Sequence, residues 1–446
     1  MKKKIFFTVF FLSQVAAYTQ SISEKLDSLL YTYAQQYKFN GSVLVAKQGK
    51  VLLEKGYGFK NVKNKLPNEA TTVFQIGSVT KQFTAALILK LQEQGKLKVT
   101  DKLSKYFPDY PKGDSITLYN LLTHTSGIYN YTNDSRFMNS DAIKPQSRET
   151  MIALFKNKPL DFSPGTQYRY SNSGYMLLGY IIEDITRKPW EKIMRTFILS
   201  PLQMKKSGFD FAGLISKDKA TGYFALDAKG NQPATIVDST VAYSAGSLYA
   251  SVGDLYKWER SIYTTKILKK ESWNQAFTPF LEKYSFGWMI DSLYGKKIIW
   301  HNGGIYGFNS HLLRFPDDEL VIVLLSNKTS SLLGTIANNI AAAVYDLPYD
   351  LPKEKKEIVV PEEILKQYVG EYELAADFLI TVTVEGGKLK AQATGQQKFD
   401  LFAERDNRFF LKVVDAQLEF IRWADGKVEK LILFQGGAKT DGKKIK

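Results

Sequence analysis

Residues 83–91 (FTAALILKL) place apolar side chains on every face of a helix, directly behind Ser78-Val79-Thr80-Lys81. Phe83, Ala86, Leu87 and Leu91 follow helical spacing, while Ala85, Ile88 and Leu89 fill the remaining faces. Such a helix must be enclosed nearly all round by other elements, with Gly95 as its stop. At 446 residues the chain is long enough for two or three domains and a sizeable core. Ser78 and Lys81, three residues apart at the helix start, share a face, so the amine can reach the hydroxyl. A serine is a weak nucleophile until a base takes its proton. A lysine can act as that base only where burial or a nearby cation lowers its pKa from about 10.4.

S-x-x-K alone is weak evidence: Ser216 to Lys219 also fits it, in a polar stretch with no apolar helix behind it, and that match is read as chance. Two further segments add chemistry. After the turn Ser163-Pro164-Gly165 comes YRYSNSGY (168–175), which runs into an apolar helical stretch over 176–185. Tyr170 could relay a proton if a nearby ammonium stabilised its phenolate, and Asn172 could hold a substrate carbonyl. The third segment, Trp300-His301-Asn302-Gly303-Gly304, follows a β-rich run and precedes the alternating residues 310–315. It reads as a strand edge whose glycines let another chain, such as a substrate backbone, approach closely. Singly, each segment has an ordinary structural reading: an N-cap serine, a tyrosine packed at a helix start, a glycine-marked bulge or hairpin with an edge histidine.

In order and context, Ser78-x-x-Lys81, Tyr170-x-Asn172 and His301-x-Gly303 resemble the three boxes of the penicillin-recognising serine hydrolases, and Tyr170 in the second box resembles their class C β-lactamase branch. Supporting stretches are Leu121 to Gly127 (LLTHTSG), Phe162 to Gly165 (FSPG), and Ser244-Ala245-Gly246-Ser247 followed by Gly253-Asp254-Leu255. The resemblance covers about residues 22–345. It implies catalytic Ser78, Lys81 and Tyr170, with Lys81 either the base or the group that keeps Tyr170 ionised. It further implies substrate contacts from Asn172, His301, Gly303 and Gly304, an oxyanion hole from the backbone N–H groups of Ser78 and Gly304, and no cofactor. In penicillin-binding members the third box opens with lysine, whose charge helps hold the substrate carboxylate; here it opens with His301. That departure resembles the D-aminopeptidase and esterase side of the branch, so esters, amides or D-peptides are expected ahead of β-lactams, unless Arg169 or another cation supplies the charge. A β-lactamase, a D-Ala-D-Ala carboxypeptidase and a non-catalytic binding or sensor protein are the alternatives.

Other chemistries have little to work with. Three histidines (His124, His301, His311), no G-x-S-x-G, no H-E-x-x-H and no cysteine argue against a Ser-His-Asp hydrolase and a metal site. His124 reads as structural and His311 as alternating into a strand face. Neither G-x-G-x-x-G nor a P-loop occurs, so no nucleotide is implied. The net charge of +15 could favour anionic surfaces, but the lysines are spread along the chain, with a modest cluster over 439–446, and read as a solvated surface. No nucleic-acid module is present. Expected partners are small-molecule or peptide substrates, including cell-wall fragments.

Lys2-Lys3-Lys4, the apolar residues 5–12 and Val15-Ala16-Ala17 have the three regions of a secretory signal (1–17), predicting cleavage after Ala17 and a periplasmic or secreted protein without stable membrane insertion. Ser21 to Glu24 fits a capping box leading an amphipathic helix with Leu26, Leu29, Leu30 and Tyr33. Residues 41–47 and 51–57 read as a hairpin, 298–300, 310–315 and 320–325 as strands, and 332–345 as a helix. The expected fold is α+β: an antiparallel sheet flanked by helices plus an all-α region, over 20–346, in the β-lactamase/transpeptidase manner. Residues 347–363, proline-rich and charged, read as a linker. Over 364–446, seven short β-type runs predict a small barrel or sandwich, similar to lipocalin-like C-terminal domains.

Overall fold

The computed structural model describes residues 21–228, 230–330, 332–352, 357–375, 378–396, 398–411, 416–423, 425–435 and 438–446. The signal-like segment 1–17 lies outside them. A six-stranded antiparallel sheet organises the first domain. Its strands are β1 (Gly41–Lys47), β2 (Lys50–Tyr57), β3 (Met289–Leu293), β4 (Lys296–Ile305), β5 (Phe308–Phe315) and β6 (Leu320–Ser326), in the spatial order β2-β1-β6-β5-β4-β3. The two ends of the domain's sequence therefore meet at its centre, where β1 pairs with β6 from Gly41 opposite Ser326 to Lys47 opposite Leu320.

All seven residues of β6 (LVIVLLS) are buried. Side chains alternate across a sheet, so Leu320, Ile322 and Leu324 enter one core and Val321, Val323 and Leu325 another. Over the first face lie α1 (Ile22–Gln35), started by the Ser21–Glu24 capping box, and the C-terminal helix of the domain, Leu333–Val344. Against the second face sits the α-region, built around α2 (Thr80–Glu93), α3 (Asn172–Thr186) and α4 (Ser239–Gly246); the helix Leu333–Val344 is α5. In α2 the run from Thr80 to Leu89 is buried throughout, together with Leu91, as the all-round apolar pattern requires.

The C-terminal domain opens with a short helix, α6 (Glu362–Gln367), followed by nine strands among the described residues: β7 (Gly370–Ala375), β8 (Phe378–Glu385), β9 (Lys388–Ala393), β10 (Phe399–Asp400), β11 (Phe402–Arg405), β12 (Arg408–Phe410), β13 (Ala416–Arg422), β14 (Val428–Gln435) and β15 (Ala438–Lys444). Their order is β10-β9-β8-β7-β15-β14-β13-β12-β11. The outermost strands β10 and β11 are separated in sequence by Leu401 alone, which makes this a small, nearly closed barrel. Two differences from the sequence reading stand out. The run 399–402 divides into two strands at Leu401, and the lysine cluster near the end forms β15 between β7 and β14. Val360, within the segment read as a linker, belongs to the barrel core beside Leu365 and Tyr368.

Candidate active site

Ser78 sits in a short 3-10 turn, Gly77–Val79, that leads without interruption into α2. The turn is pressed against β4. Gly77 has φ +52°, and a Cβ there would come within 2.8 Å of the Gly304 nitrogen. A Cβ on Gly303 would meet the Ile76 carbonyl oxygen at 2.0 Å. Two strands of backbone thus touch with no side chain between them, which only glycine permits. Ser310 Oγ donates to the same Ile76 carbonyl at 2.7 Å, and the Leu248 N–H donates to Thr80 Oγ1 at 3.2 Å, so β5 and the residues after α4 hold the turn from both sides.

Lys81 is fully buried one helical turn on. Its Nζ lies 2.8 Å from Asn172 Oδ1, 2.8 Å from the Ala245 carbonyl oxygen and 3.1 Å from Ser78 Oγ. The Ala245 carbonyl comes from α4, whose helical backbone breaks at Tyr243 (φ 38°, ψ −136°) two residues earlier. Burial pushes the Lys81 ammonium well below the usual lysine range, because a charged amine loses its hydration there. A neutral amine has two N–H donors and one lone pair. Asn172 Oδ1 and the Ala245 carbonyl can only accept, so they take both N–H groups, and the lone pair is left facing the Ser78 hydroxyl.

The Tyr170 hydroxyl donates to Ser78 Oγ at 2.7 Å, and Lys81 Nζ lies 4.8 Å from the centroid of its ring. Burial pushes the Tyr170 phenol up; the Ser78 hydrogen bond opposes this, while Tyr168 and Tyr131 add to it. With the Lys81 amine neutral, the arrangement gives one directed chain, from Tyr170 O–H to Ser78 O–H to the Lys81 lone pair. Asn172 is fixed in turn by Asn130, whose Oδ1 accepts from the Asn172 backbone N–H at 3.0 Å, and by Thr132, whose Oγ1 accepts from Asn172 Nδ2 at 3.2 Å.

His301 lies on the same face of β4 as Gly303 but is only 3% exposed. Its Nε2 is 3.0 Å from the Tyr284 hydroxyl, and its Nδ1 faces the Asn302 carbonyl. Burial, reinforced by Lys81 and His311 and opposed by the Asn302 carbonyl, holds its pKa down at about 3. The ring is therefore neutral at physiological pH. Gly304 is exposed, and β3 pairs with β4 only as far as Trp300, so residues 301–305 have no strand partner on that side among the described residues. Arg169, the cation nearest to the second box in sequence, is ion-paired with Asp161 at 3.1 Å.

His124 joins the cluster without having been read as part of it. Its ring packs 4.2 Å from that of Tyr170 and 4.6 Å from that of Tyr284, and its Nδ1 accepts the Ser171 N–H at 3.2 Å. It thereby fixes the backbone between Tyr170 and Asn172. Asn130, Thr132 and Tyr284 carried no signal of their own in the sequence, since they lie outside the three boxes and reach the site only through folding. A cleft of about 90 Å³ opens beside Ser78, lined by Asn172, Tyr131, Met138, Val237, Ile305 and Tyr306 among others.

Residues 26–346 match the family described as Beta-lactamase. The chain belongs to the beta-lactamase family. Within the wider superfamily of β-lactamases and penicillin-binding proteins, it is similar to Penicillin-binding protein 4* of Bacillus subtilis, 27% identical over 96% of this chain and all of that protein. It is also similar to the putative penicillin-binding protein PbpX of B. subtilis, 30% identical over 69% of this chain and 76% of that protein. Among solved structures, the octameric penicillin-binding protein homologue from Pyrococcus abyssi shares 26% identity at a TM-score of 0.66, covering 94% of this chain and 99% of that one. The D-amino acid amidase from Ochrobactrum anthropi, 20% identical at a TM-score of 0.65 over 73% of this chain and 99% of that one, shares the fold. Residues 354–445 match a domain family of unknown function, DUF3471. Fold and homology make this beta-lactamase family member a serine hydrolase acting on amide or ester bonds. Among the described residues no helix is long and apolar enough to cross a membrane.

Proposed function

We propose that the protein is an exported acyl-enzyme hydrolase of the class C-like branch, cleaving esters, D-amino-acid amides or D-peptides in preference to β-lactams. The observation that carries this reading is the Tyr170–Ser78–Lys81 hydrogen-bond chain. Lys81 takes the Ser78 proton as Oγ bonds to the substrate carbonyl carbon, and the negative charge that develops on the carbonyl oxygen is met by the Ser78 and Gly304 N–H groups. One such donor is typically worth about 10²- to 10³-fold in rate. The carbonyl bond to the leaving group then breaks, Tyr170 delivers the proton that the departing oxygen or nitrogen needs, and the Lys81 ammonium passes the Ser78 proton to the Tyr170 phenolate, which resets both groups. Water repeats the sequence to release the acid. Asn172, held by Asn130 and Thr132, serves both the amine and the acyl side of the substrate.

Substrate preference rests on charge. With His301 neutral and Arg169 paired to Asp161, a substrate carboxylate lacks the charge-assisted partner that a lysine in the third box would offer, an interaction worth about 1.5–3 kcal/mol. His301 then acts through Tyr284 and the β4 edge, where Gly303 and Gly304 leave room for a substrate backbone. A β-lactamase or carboxypeptidase reading has in its favour the names of the penicillin-binding relatives. Purified protein should hydrolyse p-nitrophenyl acetate and D-aminoacyl p-nitroanilides faster than nitrocefin, and a covalent serine probe should label wild type but not Ser78→Ala. Nitrocefin turnover exceeding the others by orders of magnitude, unchanged in His301→Ala, would overturn the preference; equal labelling of both proteins would overturn the nucleophile.

A further inference from the structure

β4 has two faces. Ile299, His301 and Gly303 turn toward the α-region, while Ile298, Trp300 and Asn302 turn away from it. On this reverse side, between β3, β4, β5 and the start of α5, lies a cavity of about 650 Å³. That is the size of an ordinary small-molecule site, roughly 300–1,000 Å³. Its walls include Trp300, Asn302, Asn309, His311, Gly334 and Asn338.

The polar inventory is unusual for a wall that only packs. His311 is 5% exposed and stacks on the Trp300 indole with ring centroids 5.4 Å apart, yet neither of its ring nitrogens has a hydrogen-bond partner among the described residues. The side-chain amides of Asn302 and Asn338 and the Trp300 N–H also lack partners among them. Asn302 is exposed and Trp300 and Asn338 are half-buried, so these donors and acceptors face the cavity and its solvent, free to meet a ligand that brings its own. Burial holds the His311 pKa down at about 4, which leaves one ring nitrogen to donate and the other to accept. Among the described residues, Asp291 is the one charged lining residue, and it is already paired with Lys283 at 2.7 Å. Such a wall offers a phosphate or a carboxylate no charged partner, and offers little to a cation.

We propose that this cavity binds a neutral saccharide, whose C–H face packs on the Trp300 indole while its hydroxyl or acetamido groups meet Asn302, His311 and Asn338. Hydroxyls both donate and accept, as the amides and the neutral imidazole do, and an aromatic ring offers the large flat contact that a sugar face needs. The occupant would lie across β4 from the catalytic cleft and independent of its chemistry.

Titration of chitotriose and of maltotriose into the full-length protein, followed by calorimetry and tryptophan fluorescence, tests this. Saturable binding of at least one of them, in the millimolar range or tighter, is expected. Gly334→Leu should weaken it about ten-fold or more: a Cβ at Gly334 meets only His311 Cε1, at 3.9 Å, so the leucine extends into the cavity without a backbone clash. Retained p-nitrophenyl acetate hydrolysis by Gly334→Leu reports an intact fold, and Asn338→Ala, which removes an amide without adding bulk, serves as the second variant. Absence of binding by both sugars, or binding equally tight in wild type and both variants, would overturn the proposal.

Discussion

The hydrolase domain and the C-terminal barrel bury different things. The first encloses Lys81, His124, His301, His311, Asp254, Glu259 and Arg314, each at most 5% exposed. Among the described residues of the second, the buried set is wholly hydrophobic, centred on Tyr368, Tyr372, Phe409 and Phe420, and its ionisable groups lie in surface pairs such as Lys430 with Asp441 and Lys446 with Glu371. Burying an ionisable group costs stability unless partners offset it, and it is also what moves a pKa toward a catalytic task. The contrast identifies the first domain as the place where chemistry is done and leaves the barrel with packing as its visible work.

Removing the nucleophile should break the contrast most completely. Ser78→Ala is expected to lower ester turnover about 10⁴-fold or more, measured as kcat/KM on p-nitrophenyl acetate, with the barrel unaffected. Lys81→Ala should follow with about 10³-fold and Tyr170→Phe with about 10²-fold; comparable rates in Lys81→Ala and wild type would remove the base from the scheme. Because the active amine is neutral and its pKa is lowered, kcat/KM should rise with pH through an acid limb below the normal lysine range and then level off. That limb belongs to the Lys81–Tyr170 pair as a unit.

The barrel offers the converse experiment. Phe420 is fully buried, stacked 4.3 Å from Tyr368, so Phe420→Ala should destabilise the C-terminal domain by about 3–5 kcal/mol, seen as an early transition in thermal unfolding. Ester turnover below that transition should stay within about two-fold of wild type, and a larger drop would mean that the barrel does more than pack. The smallest effect concerns acid. His301 and His311 have folded pKa values of about 3 and about 4, below the unfolded value near 6.5. The unfolded chain therefore binds protons first as pH falls. Their contribution to stability is complete above about pH 6.5 and is lost toward pH 3–4, at no more than about 1.4 kcal/mol per pH unit for each histidine. Urea melts of wild type and His311→Gln between pH 7 and 4 should show the shallower slope in the variant.

Much of this was legible because it is local. The all-round apolar pattern of residues 83–91 required burial, the Ser21–Glu24 box started α1 where read, and Ser78 and Lys81 share a face by helical spacing alone. The sequence could not say whether Lys81 is charged, since that depends on how completely elements from elsewhere in the chain bury the amine. Nor did it disclose Tyr284, which meets His301 only through the fold. β15 escaped notice for a different reason: its residues (AKTDGKK) have no apolar alternation, and it is held as a strand by its neighbours β7 and β14.

The backbone contact between Gly77 and Gly304 fixes how such a site can change over evolutionary time. Where the nucleophile turn and β4 meet, the spacing is set by main chain on both sides, so no exchange of side chains can widen that wall while keeping the attack geometry. Variation in what the cleft admits must come from the opposite wall, at Tyr131, Met138, Val237 and Tyr306, where side chains rather than backbone form the boundary. Half of the cleft is in effect a ruler and the other half a dial.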